Sequence, residues 1–174
     1  MAIVAMYILG MRLPEDATTG YLLWRVATKW RAAVDRAVAS LGLSHGQYSL
    51  LASLYGLSRT GAQPSQRELA DFAGLEPMFV SKLVRALERQ GLVTRAAHPG
   101  DTRAVQLDLT ARGTDVARRA IAVVRELHEE LTAPIGGLGG TRNHELVRTL
   151  RELLNVPAAT GAAAPAGTEQ RSEG

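Results

Sequence analysis

The stretch Ala86–Thr110, ALERQGLVTRAAHPGDTRAVQLDLT, changes backbone habit three times. A helical pattern that puts Leu87 on one side and Glu88 and Arg89 on the other stops at Gly91, where the left-handed conformation that ends a helix carries no Cβ penalty. LVTRA then reads as a strand and AHPGDTR as a long polar tip. VQLDL returns as a second strand, because Val105, Leu107 and Leu109 alternate with polar residues as a half-buried strand requires. Thr110 closes that strand and caps whatever helix follows. The segment is therefore a helix with a sharp glycine exit into a β-hairpin.

Upstream of it, Glu76-Pro77 starts the helix that Gly91 ends, since proline is tolerated at the first helical position. Within this helix Val80, Leu83, Val84 and Leu87 form a buried stripe, and Ser81, Lys82, Arg85, Glu88 and Arg89 fall on the other side. Two further helices are announced by capping boxes, SHGQ at 44–47 and SQRE at 65–68, in which the serine hydroxyl takes one unpaired N–H and the Gln or Glu reaches back to another. These helices run over about 44–57 and 65–72, joined by SRTGAQP. Before them, Leu23, Val26, Trp30, Ala33, Ala37 and Leu41 recur at steps of three and four from Thr19, and Gly42 ends that helix. After the hairpin, a long helix carries Val116, Ala120, Val123, Val124, Leu127 and Leu131. Past PIGGLGG a last stripe follows, made of Leu146, Val147, Leu150, Leu153 and Leu154.

Helix, helix, short turn, helix and two-stranded hairpin is the order of a winged helix-turn-helix. The fold class is thus mainly α with a small β-hairpin (α+β), flanked by N- and C-terminal helices. In such a unit the 77–90 helix is the right width for a major groove, and the hairpin reaches the adjacent minor groove. The formal charge of +3 is no polyelectrolyte signature, but 78–103 alone holds five bases (Lys82, Arg85, Arg89, Arg95, Arg103) against two acids (Glu88, Asp101), an excess as large as that of the whole chain.

At 174 residues and 46% hydrophobic content the chain suffices for one packed domain. It has no cysteine, which excludes disulfides and thiolate metal sites and suits a reducing, cytoplasmic setting. The apolar start MAIVAMYILGM lacks a basic n-region and falls well short of the ~20 residues a membrane span needs, so it reads as an arm over 1–18 and no membrane partner is expected. Residues 157–174, rich in Ala, Gly and Pro, read as a disordered tail.

SHGQYSLLASL, SQRELADFAGLEPMFVSKLVRALERQGLVTR, the wing pair Asp101-x-Arg103 and the LTARG that follows together resemble the MarR family of bacterial transcriptional regulators, from about Thr19 to Leu154. The resemblance implies a domain over 19–156 with the winged unit at about 44–112. It implies dimerisation helices at about 19–41 and 111–154, a homodimer, and a palindromic double-stranded DNA operator; a dimer seated over a promoter palindrome would block polymerase by occupancy, so a repressor is expected. It implies that Arg103 enters the minor groove with Asp101 holding it extended, and that Arg95 also belongs to the wing's DNA contacts. On the recognition helix Ser81, Lys82 and Arg85 lie on the face opposite the core stripe and are the expected DNA contacts, with Ser65 and Gln66 as backbone contacts because helix N-termini favour anions. The chain departs from the family where small hydroxyl residues commonly begin the recognition helix. Met78 and Phe79 stand there, and either contact thymine methyl groups or pack against the scaffold helices, the commoner fate of such residues.

The resemblance also raises a small aromatic or anionic effector, for which Trp24, Arg25, Trp30, His45 and Tyr48 are the candidates by position. The competing reading makes both tryptophans dimer core and leaves Arg25 solvated. No cofactor and no metal are expected: His45, His98, His128 and His144 are scattered, and Thr132 stands where an i, i+4 partner of His128 would be. No nucleophile elbow or phosphate-binding glycine loop supports an enzyme. The competing function is a winged-helix module that binds protein rather than DNA.

Overall fold

The computed structural model describes residues 16–98 and 101–156, apart from the side chains of 98 and 101–104. The apolar start and the tail expected to be disordered lie outside the described residues. Among the described residues, six α-helices and one two-stranded antiparallel sheet follow in the order α1 (Thr19–Val38), α2 (His45–Ser58), α3 (Gln66–Ala73), α4 (Pro77–Arg89), β1 (Val93–His98), β2 (Asp101–Leu109), α5 (Ala111–Thr132) and α6 (Thr141–Leu154). The chain divides into two compact units, one through Glu130 and one from Leu131.

Local chemistry sets most of the boundaries. Both expected capping boxes form: Ser44 Oγ accepts from the Gln47 amide while Gln47 Oε1 accepts from the Ser44 amide, and Ser65 and Glu68 do the same. The first helix was expected to run to Leu41; α1 stops at Val38 and tightens into a single 3-10 turn, Ala39–Leu41, before Gly42 turns left-handed. Four residues of α4, Val80, Leu83, Val84 and Leu87, enter a core with Leu50, Leu51 and Leu54 of α2, Leu69 of α3 and Val124 of α5. That core is the platform from which α4 and the hairpin project.

The hairpin differs from its expected form. Strand pairing continues to His98↔Asp101 across a register shift at Ala97/His98, so the polar tip is shorter than AHPGDTR. The outer ladder is held by backbone groups, which need no alternation of apolar side chains and therefore leave no sequence pattern. A second addition lies at the hairpin's base, where β2 also pairs with the segment ahead of α3. Gln106 bridges Ser65, and the Leu107 amide donates to the Pro64 carbonyl at 3.0 Å.

In the second unit, α6 is preceded by a 3-10 turn, Ala133–Ile135. The Asn143 side chain is buried there and donates to the Leu138 carbonyl at 3.0 Å.

Candidate nucleic-acid interface

Helix α4 presents one face to the core and the opposite face to solvent. Lys82 and Arg85 are exposed and Ser81 is half-buried at the edge of that face, so the three expected recognition residues lie within the second and early third turns. The two unusual residues at its start part company. Met78 is 79% exposed and packs on nothing that hides it, whereas the Phe79 ring lies 3.3 Å from where a Cβ on Gly46 would be, and so leans on the start of α2.

The hairpin is tied to α4 by a knot at its base. Gly91 adopts φ +68°, the left-handed exit expected from the sequence, and the Leu92 amide donates back to the Leu87 carbonyl at 2.9 Å. From the far side of the hairpin, the Thr110 hydroxyl donates to the Gly91 carbonyl at 2.8 Å and accepts from the Gly113 amide at 2.8 Å. The Thr110 amide donates to the Leu92 carbonyl at 3.1 Å. Here Gly113 is required for space: a Cβ on it would sit 1.8 Å from the Leu92 carbonyl oxygen. The threonine and glycine of LTARG thus fasten the end of the wing and the start of α5 to the exit of the recognition helix.

Arg95 on β1 lies with its guanidinium 3.4 Å from the Glu88 carboxylate of α4. An exposed pair of this kind contributes only ~0–1 kcal/mol, so it steers Arg95 without committing it. Asp101 and Arg103 belong to β2 by backbone, but their side chains lie outside the described residues.

Ser65 is buried, its amide donates to Glu68, its hydroxyl accepts from the Glu68 amide, and it bridges β2. Its amide and hydroxyl oxygen are thus engaged in the cap, and the Glu68 carboxylate bonds the start of α3. Gln66 is half-buried beside it.

The five effector candidates have different neighbours within the single chain. Trp24 is 48% exposed, and its ring and the Arg25 guanidinium both sit about the Tyr21 ring, at 6.1 and 6.0 Å between centres. Trp30 and Tyr48 instead pack on the core, Trp30 with its ring 5.3 Å from that of His128. Six residues apart on one helix, Trp24 and Trp30 point roughly 120° apart. The His45 amide donates to the Asp35 carboxylate; burial pulls the His45 imidazole below its ordinary pKa against the upward pull of Asp35, with Arg31 adding to the depression. Burial also raises the Tyr48 phenol and lowers His128.

Residues 43–105 match the sequence model of the MarR family. Over 139 residues the chain is 31% identical to YdcH of Bacillus subtilis, an uncharacterized HTH-type transcriptional regulator, across 80% of this chain and 91% of that one. The chain belongs to the MarR family. Another relative, the HTH-type transcriptional repressor Rv2887 of Mycobacterium tuberculosis, is 38% identical over 128 residues, 71% of this MarR-family chain and 89% of its own. Among solved structures, the M. tuberculosis transcriptional regulator MosR in complex with DNA is similar at a TM-score of 0.63 and 28% identity, covering 79% of this chain and 96% of that one. The S. aureus MepR–DNA complex shares the fold at a TM-score of 0.71 and 23% identity, covering 80% and 97%. The α+β winged helix-turn-helix architecture is thus the family's. Among the described residues, no helix of this MarR-family chain is long and apolar enough to cross a membrane.

Proposed function

We propose that the chain is a sequence-specific double-stranded DNA-binding regulator that acts in the cytoplasm as a homodimeric repressor on a palindromic operator. The observation that carries this is the open face of α4, with Ser81, Lys82 and Arg85 on the side away from the core and the hairpin knotted beside its exit. Arg85 suits bidentate reading of guanine, and Lys82 and Ser81 suit phosphates. Gln66 offers a backbone contact that Ser65 supports only as a cap. On the wing, Arg103 enters the minor groove with Asp101 bracing it and Arg95 near the adjoining phosphates. The naming of Rv2887 as a repressor and the MosR–DNA complex support the same reading.

Exposed apolar residues on the flanking helices, Leu22, Leu23 and Val26 of α1 and Leu146, Val147, Leu153 and Leu154 of α6, support dimerisation through 19–41 and 111–154. An effector, if it is an aromatic anion, would meet the Tyr21–Trp24–Arg25 group on α1; quenching of tryptophan fluorescence by benzoate tests it.

The test of the main reading is a salt titration on a duplex that the purified protein selects from a random pool. Six or more phosphate contacts require affinity to fall by roughly 10³-fold between 50 and 200 mM salt. A flat salt dependence, or no selected duplex, favours the protein-binding module instead.

A further inference from the structure

We propose that Met78 is a specificity-determining residue that reads thymine, its side chain seated against C5-methyl groups in the major groove of each half-site. This rests on the DNA-binding reading above. With successive residues about 100° apart, the buried Val80, Leu83, Val84 and Leu87 centre on one direction of α4. Met78 points within roughly 10° of the opposite direction, with Lys82 and Arg85 within roughly 40° on either side of it. It is therefore the apex of the open face, not its margin.

Its position along the helix matters as much. Pro77 is the first helical residue, so Met78 lies in the first turn. Helical side chains lean toward the N-terminus, the end at which a recognition helix meets base edges. At 79% exposure Met78 has no packing role that would explain a large apolar side chain there, whereas Phe79, one step round the helix, is used against Gly46. The apolar group that the major groove offers is the thymine methyl, and an unbranched, polarisable thioether can follow the groove floor to it. An apolar protein partner fits less well. Covering Met78 would also desolvate the flanking Lys82 and Arg85, a cost that a duplex offsets with phosphate charge.

The experiment uses the full chain and a duplex it selects from a random pool, in which each thymine is replaced singly by deoxyuridine. That change removes the C5-methyl and leaves every hydrogen-bonding group. Wild-type affinity is expected to fall about fourfold at one or two adjacent thymines per half-site, the ratio that burial of one methyl carries. Met78→Ala, with an unchanged circular dichroism spectrum, should bind the thymine and uracil duplexes alike. A protected half-site without such a thymine, a flat methyl scan, or a Met78→Ala variant that keeps the penalty overturns the assignment and leaves the DNA-binding reading standing. If no duplex is selected, both fall together.

Discussion

Replacing Gly113 with alanine tests whether the knot at the wing's base holds the site together. The added methyl would meet the Leu92 carbonyl oxygen at 1.8 Å, and the carbonyl carbon and Cα at 2.8 and 3.2 Å. An unstrained carbon–oxygen contact needs about 3.3 Å, so the start of α5 must retreat from Leu92 by roughly 1.5 Å. Such a shift stretches the Thr110 amide to Leu92 bond from 3.1 Å beyond hydrogen-bonding range and disturbs the Thr110 hydroxyl's bonds to Gly91 and Gly113. Overpacking costs about 1–3 kcal/mol, and two lost bonds about 0.5–1.5 kcal/mol each. Against these stands the roughly 1 kcal/mol by which alanine surpasses glycine in a helix. The expected net loss is about 1–5 kcal/mol.

The matched comparison is Gly56→Ala on α2, where a Cβ meets nothing within 4 Å and propensity alone acts. That variant should gain about 0.5–1 kcal/mol. Urea unfolding followed by far-ultraviolet circular dichroism at one protein concentration reads both. If Gly113→Ala unfolds at or above the wild-type midpoint, the close approach does not constrain the fold and the knot is not what fixes the wing.

Arg103→Ala should weaken operator binding by about 1–3 kcal/mol with dimerisation intact; equal affinity in a gel shift would remove the wing from the mechanism. Leu153→Asp, at a position 47% exposed in the single chain, should leave the fold of the first unit unchanged and dissociate the proposed homodimer, so an unaltered mass in light scattering contradicts the assignment of α6. Burial lowers both His128 and His45 from 6.5, so the unfolded chain takes up protons first and their contribution is present above pH 6.5 and lost as pH falls below it. His128→Gln should flatten that acid limb of the stability profile in urea titrations between pH 7 and 5; an unchanged slope would mean that His128 titrates normally.

What could be read from the sequence was chemistry that closes within four residues. Ser44 with Gln47, Ser65 with Glu68, Gly42, Pro77 and Gly91 each mark a helix end by a bond or a dihedral that involves only near neighbours, and all stand where expected. The α4 stripe was legible for the same reason, since helical period alone sorts Val80, Leu83, Val84 and Leu87 from Lys82 and Arg85. Contacts between distant segments were not. Nothing local in LTARG says that Gly113 faces Leu92, or that β2 will also pair with Pro64 and Ser65, which is what withdraws Ser65 from solvent. Met78 and Phe79 looked equivalent in sequence, and a turn of about 100° sends one outward and the other onto α2.

The homodimer proposed above would also give the last helix a partner. On α6, Leu146, Val147, Leu150, Leu153 and Leu154 fall within a sector of roughly 120°, a coherent apolar stripe rather than scattered surface residues. Four of the five are exposed, and the one buried residue of that helix is the polar Asn143. A helix of 14 residues is marginal in water on its own and draws its stability from packing such a stripe. The winged unit already fills its core from α1 through α5 and the hairpin. If an identical α6 covers the stripe, the two-fold axis that stabilises the helix also sets the spacing between two α4 faces. Fold stability and the reading of a palindrome would then depend on the same interface.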